Sequence, residues 1–147
     1  MVIKNYNTAD QQQCLALFDS NYPKYFAAHE RPLFERFLAQ HQPHFYCLAE
    51  NQKILACGGF RVDQFGLAYL AWGMVTQNQH RRGLGAQLLQ YRLDVIKQQK
   101  PAWCVLLDTS QHSAPFFQRF GFKPYHSIPN GYAEGLDQVL MRYLWAT

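Results

Sequence analysis

The sequence predicts an α/β domain with a mixed, mostly antiparallel central sheet flanked by helices. Three observations predict it. Strand-like runs at 45–49, 54–62 and 67–75 follow one another across short turns, the pattern of an antiparallel meander. A long amphipathic stretch at 83–100 then leads to a nearly all-apolar run at 102–107, the order of a right-handed parallel crossover. The 147 residues suit one domain over 1–147, and 48% apolar residues can fill its core.

The elements follow in order. Residues 2–6 alternate as a first strand. Thr8 and Gln11 have the spacing of a capping box, and Cys14, Leu15, Leu17 and Phe18 make a helical stripe ended near Pro23. Pro32 is placed to open a second helix with Leu33, Phe34, Phe37 and Leu38 inward, stopped by Pro43. Asn51-Gln52 and Gly66 mark the turns of the meander. Gly58, Gly59 and Gly73 lie inside strand patterns, where glycine marks a bulge or a close backbone approach. In the long helix, Leu84, Leu88, Tyr91 and Val95 form one row, and Leu89, Leu93 and Ile96 the next. Lys97 and Lys100 suit its last turn and Pro101 ends it. Ser113 is placed to cap a short helix through Phe120, ended by Gly121, and 138–145 is a final strand. Residues 130–137 read as a polar loop, either a lid or a plain connection. Tyr69 and Trp72 give one strand an aromatic face, expected to pack in the core.

Composition narrows the function. Charged residues are 16% of the chain and aromatic residues another 16%, which argues against disorder. No apolar run reaches the roughly 18 residues of a membrane helix, and the N-terminus lacks the pattern of a signal peptide, so a cytoplasmic protein is expected. Cys14, Cys47, Cys57 and Cys104 form no CxxC pair and read as buried free thiols. Six scattered histidines complete no ligand spacing, so no metal is expected. The net charge of +4 is mild. Arg81, Arg82 and Arg92 are too clustered for a nucleic-acid stripe.

The segment from Val75 to Ala86 carries most information. A strand ends, a polar loop follows, and Gly83-Leu84-Gly85 opens an amphipathic helix. Free N–H groups at a helix start favour an anion. Glycines let its oxygens approach, and Arg81 and Arg82 add forked positive donors. The GK[ST] of a Walker loop is absent. A dinucleotide fingerprint fits poorly, because Leu88 takes the third small position and residues 76–82 separate strand from glycines.

These residues resemble the GCN5-related N-acetyltransferases, whose signature is Arg/Gln-x-x-Gly-x-Gly/Ala opening a long helix. His80 stands where Arg or Gln is usual, and Val75 matches the strand end. A second likeness is Phe116-Phe117-Gln118-Arg119-Phe120-Gly121-Phe122, an aromatic stretch ending in Gly-Phe. The order of elements fits along nearly the whole chain. The resemblance implies acetyl-CoA as cosubstrate. Its pantetheine arm would pair with the strand end at Met74, Val75 and Thr76, and its pyrophosphate would sit on His80, Arg81, Arg82, Gly83, Leu84, Gly85 and Ala86. It also implies that the 67–75 strand splays from its parallel neighbour, with Gly73 at a bulge.

The implied chemistry is attack of a primary amine on the thioester through a tetrahedral intermediate, with the Val75 N–H facing the oxyanion. A base must take the ammonium proton and an acid must help the thiolate leave. The family's usual tyrosine acid is replaced here by Phe117, which keeps only a cofactor-lining role. Ser110, His112, Ser113, Tyr125 and Tyr132 are substitutes, with Ser110 and His112 favoured on the loop after the apolar strand. Asp108 is the base expected at that strand's end, ahead of Glu50 and Asp63, and residues 19–22 would help form an acceptor pocket. The expected partners are therefore acetyl-CoA and an amine acceptor, without nucleic acid or membrane; a homodimer is compatible. An acyl-CoA sensor without turnover is the competing reading.

Overall fold

The computed structural model describes residues 1–98 and 104–145. Lys100, Pro101 and Ala102, assigned above to the helix end and the next strand, lie outside the described residues. Seven strands form one sheet in the order β1-β2-β3-β4-β5-β7-β6. They are β1 (Val2–Asn5), β2 (Phe45–Glu50), β3 (Lys53–Val62), β4 (Leu67–Val75), β5 (Cys104–Thr109), β6 (Lys123–Ala133) and β7 (Leu136–Leu144). Every neighbouring pair is antiparallel except β4 with β5. The helices are α1 (Gln11–Asn21), α2 (Glu30–Leu38), α3 (Leu84–Gln98) and α4 (Ala114–Gln118). No helix among the described residues is long and apolar enough to cross a membrane.

Strand alternation gives the sheet two apolar faces. One packs α3 and α4 through Leu84, Leu88, Leu89, Ile96, Val105 and Phe122. The other packs α1 and α2 through Phe18, Phe34, Leu38 and Phe45. The four cysteines are free and buried. Asn51 and Gln52 both have positive φ, at 52° and 66°, which matches the twist of a tight hairpin between β2 and β3.

Several local readings change. The capping box is Asn7 with Asp10, leading a 3-10 turn into α1, instead of Thr8 with Gln11. An asparagine one residue earlier supplies the same acceptor geometry. The second helix starts at Glu30, with Pro32 inside its first turn, where the missing N–H costs nothing. Leu33 is exposed while Phe34 is fully buried. Ser113 makes no side-chain cap. The polar 130–137 stretch belongs to a β6–β7 hairpin, with a register shift between Ile128 and Ala133. Pro124, Pro129 and Gly131 disguise β6 as loop, yet it is an edge strand, where proline displaces no ladder bond.

Within the meander, the β3–β4 ladder is interrupted at one place. Between the Gly59–Ala71 and Cys57–Met74 pairs, β4 carries one residue more than β3. Trp72 sits there with φ of 54°, and Gly73 follows it. The ring of Trp72 lies against Phe34, 4.8 Å between centroids. Phe34 also touches Phe18, Phe37 and Phe45. Phe34→Ala should therefore cost roughly 3–5 kcal/mol, measured by denaturant unfolding. A loss below about 1 kcal/mol would show that this aromatic cluster does not hold the bulge.

Candidate functional site

Among the described residues, β4 and β5 pair only over Leu67–Tyr69 against Cys104–Leu106. Beyond Tyr69, β4 stays with β3, and beyond Leu106, β5 stays with β7. The bulge at Trp72–Gly73 bends β4 away, so the sheet opens into a wedge. A cavity of about 690 Å³ occupies it. Thr76 N donates to Leu55 O at 2.8 Å, so by alternation Val75 turns its N–H and carbonyl away from β3, into the wedge. The Val75 carbonyl accepts from Asn21 Nδ2 at 2.8 Å and lies 2.9 Å from His80 Nε2. That leaves the Val75 N–H as this residue's group for a ligand.

At the wedge mouth, Arg81 and Gly83 both have positive φ, 76° and 77°, and α3 begins at Leu84. Alternating backbone conformation of this kind turns successive N–H groups toward one point, an anion nest. The first N–H groups of α3 add to it with the positive end of the helix dipole. Gly83, Leu84, Gly85 and Ala86 line the cavity, and so does Arg81. Arg82 and Thr76 do not. Arg82 Nη2 pairs with Glu50 Oε2 at 3.2 Å and Nη1 donates to Gln79 Oε1 at 2.7 Å. The charge expected from Arg82 is therefore shared with an acid, and Arg81 supplies the charged lining. His80 lines the cavity, but its ring nitrogen serves the Val75 carbonyl and its ring packs against Tyr25. It fixes the strand end more than it adds charge.

The opposite wall collects the titratable groups. Asp108, at the end of β5, accepts from Tyr132 Oη at 2.5 Å and from Gln138 Nε2 at 3.1 Å. Glu30, at the start of α2, accepts from the Ala27 N–H at 2.8 Å. Burial raises the Glu30 carboxyl above the usual carboxylate range; the Ala27 bond opposes this, and the charge of Asp108 reinforces it. Burial first, then the bond to Asp108, holds the Tyr132 hydroxyl protonated well above its ordinary range. Glu30, Asp108 and Tyr132 thus line one cavity and feel one another's charge.

Ser110 is buried and its Oγ accepts from His112 N at 3.2 Å, which shapes the turn into α4. His112 is exposed, with its ring edge to Tyr25. Both line the cavity, as does Phe117, whereas Tyr125 does not. Glu50 and Asp63 are occupied elsewhere: Glu50 by Arg82, and Asp63 by the N–H groups of Phe65 and Leu67 and by Tyr69 Oη. Arg92, grouped above with Arg81 and Arg82, is 4% exposed and lies inside the fold. Glu30 was missed because a glutamate ahead of a proline reads as an ordinary helix start. Among the described residues no group of three or more side chains could hold a metal ion.

Comparison with known proteins follows from this geometry. The family model described as the acetyltransferase (GNAT) family matches residues 12–122. Among solved structures, the fold is similar to the ribosomal-protein-S18-alanine N-acetyltransferase of Escherichia coli, with TM-score 0.80, 19% identity and 99% and 94% of the two chains covered. It is also similar to Ard1 from Thermoplasma volcanium, with TM-score 0.83, 15% identity and 99% and 98% covered. A third is Rv2747 from Mycobacterium tuberculosis, solved in complex with CoA, with TM-score 0.75, 17% identity and 99% and 100% covered. No curated protein matches by sequence. Identities this low speak for the fold alone, but the family model spans most of the chain. The chain, with its splayed strands and its glycine turn, thus belongs to the GNAT acetyltransferase family.

Proposed function

We propose that the protein transfers the acetyl group of acetyl-CoA to a primary amine by direct attack through a tetrahedral intermediate. The observation that carries this reading is the wedge between β4 and β5, with the Val75 N–H turned into it and the Arg81–Ala86 turn at its mouth. Met74, Val75 and Phe117 line the path of the pantetheine arm, and the main chain of Gly83, Leu84, Gly85 and Ala86 takes the diphosphate with Arg81. The thioester supplies the activated acyl carbon.

The protein's part is to place the amine and move its proton. Asp108 and Glu30 give the acceptor end negative charge, which draws in an ammonium group. Tyr132 and Gln138 hold Asp108 in one orientation. Glu30, raised by burial, takes the proton, since a base held nearer neutrality gains more by accepting it. The amine nitrogen then bonds to the acyl carbon, the C–S bond breaks, and sulfur keeps the electron pair. One amine proton ends on that sulfur, giving amide and free thiol. Ser110 and His112 are the donors near the Phe117 wall, and a thiol of ordinary acidity needs only modest help to leave.

Thiol release with acetyl-CoA over a panel of amines, with mass spectrometry of the products, tests the reading. Phe117→Tyr restores a hydroxyl at the family's usual position. It should raise kcat, toward the roughly 10²-fold low end of what a placed general acid contributes. A wild-type protein that binds CoA but acetylates no amine, with F117Y equally inert, would favour the second reading, an acyl-CoA sensor. Phe117 is the observation behind that alternative.

A further inference from the structure

We infer that Arg92, buried beside the β4 bulge in the wall of this cavity, is a receptor for a ligand carboxylate, so that the site also takes a dicarboxylic acyl group in place of acetyl. This rests on the acyltransferase reading above and names its substrate class.

Arg92 rises from the middle of α3 and is 4% exposed. Its guanidinium is lodged beside the β4 bulge between two glycines. A Cβ on Gly58 would stand 2.9 Å from Cζ, and one on Gly73 would stand 2.9 Å from Nη2. Nη1 donates to Gly59 O at 3.2 Å, and the buried Nε has no partner. No Asp or Glu pairs with it among the described residues, whose ion pairs are Lys4–Asp10, Arg31–Asp19 and Arg82–Glu50. Burial lowers its pKa to about 10, so the group is still a cation at neutral pH.

A buried cation without an anion is costly, and proteins ordinarily supply the partner. Here the fold makes room for the charge and leaves its fork unmatched, and Arg92 lines the cavity. It does so with Leu70, Ala71 and Leu107, just past the last β4–β5 pairs, and with Leu88 of its own helix. A guanidinium fork matches a carboxylate with two parallel bonds. Arg92 enters from the α3 face, the same helix that opens at the diphosphate turn. Glu30 and the acceptor wall come from the α2 face. The anion that meets Arg92 therefore belongs to the acyl end of the cosubstrate. The bonds made and broken in the transfer are unchanged; only the remote end of the acyl chain differs.

The test is calorimetric titration of the wild-type protein with succinyl-CoA, butyryl-CoA and acetyl-CoA. Succinyl- and butyryl-CoA have equal chain length and differ in the terminal carboxylate. Succinyl-CoA should bind about tenfold or more tighter than butyryl-CoA, the scale of a charge-assisted pair. Arg92→Met should bring the two to equal affinity. A second arm measures transfer to amino acids against their carboxamides. A preference for the acids that disappears in R92M, with succinyl- and butyryl-CoA bound equally, would overturn the acyl assignment and place the anion on the acceptor. Equal affinities for succinyl- and butyryl-CoA, with no preference in the second arm, would overturn the inference. The wild-type measurements stand even where R92M fails to fold. If no CoA thioester binds, it is the acyltransferase reading that fails; if acetyl-CoA binds and no carboxylate preference exists, only the role of Arg92 falls.

Discussion

Replacing Gly83 and Gly85 together with glutamate should weaken CoA binding by about 100-fold or more. Each new carboxylate stands at a helix start, against the ligand's diphosphate, and such charges are worth roughly 1–2 kcal/mol apiece in a partly buried setting. About 2.7 kcal/mol in total is 100-fold in Kd. The fold should survive. A Cβ on Gly83 meets nothing within 4 Å, and one on Gly85 meets Phe116 Cζ at an ordinary 3.4 Å. A side chain at the positive φ of Gly83 costs about 1–2 kcal/mol. Acidic groups at a helix start offset part of that. Calorimetry reports Kd, and thermal unfolding separates lost binding from lost structure. A folded double variant with unchanged affinity would remove this turn from the site.

The second large effect falls on the rate. Glu30→Gln should lower kcat by roughly 10²–10⁴-fold, the range of a placed general base, with KM for acetyl-CoA little changed. The pH profile identifies the role. A base works ionised, so wild-type kcat/KM should rise with pH as Glu30 loses its proton. Because burial raises that group, the rising limb should lie above the ordinary carboxylate range. In E30Q this limb should vanish together with the rate. A glutamine variant that keeps both would return the role to Asp108, whose Asn variant is then the next to assay.

The β2–β3–β4 meander and the parallel β4–β5 pair were legible because apolar alternation and the β4–α3–β5 order restrict the topology. The glycine turn was legible because a helix start at positive φ leaves a mark in residue type. Edge strand β6 was hidden by residues that break central strands yet suit an edge. Arg92 was hidden because a cation in a helix gives no sign of burial; only the glycines at 58 and 73, in other strands, make room for it. Glu30 and Asp108 are far apart in sequence and meet only when α2 and β5 close on the same wedge. Geometry held in one local segment was readable; geometry assembled across the sheet was not.

A crystal structure of the CoA complex should show the diphosphate on the main-chain N–H groups of residues 83–86, with the pantetheine arm between β4 and β5. A diphosphate bound elsewhere on the protein, with that turn free of phosphate oxygens, would contradict this placement.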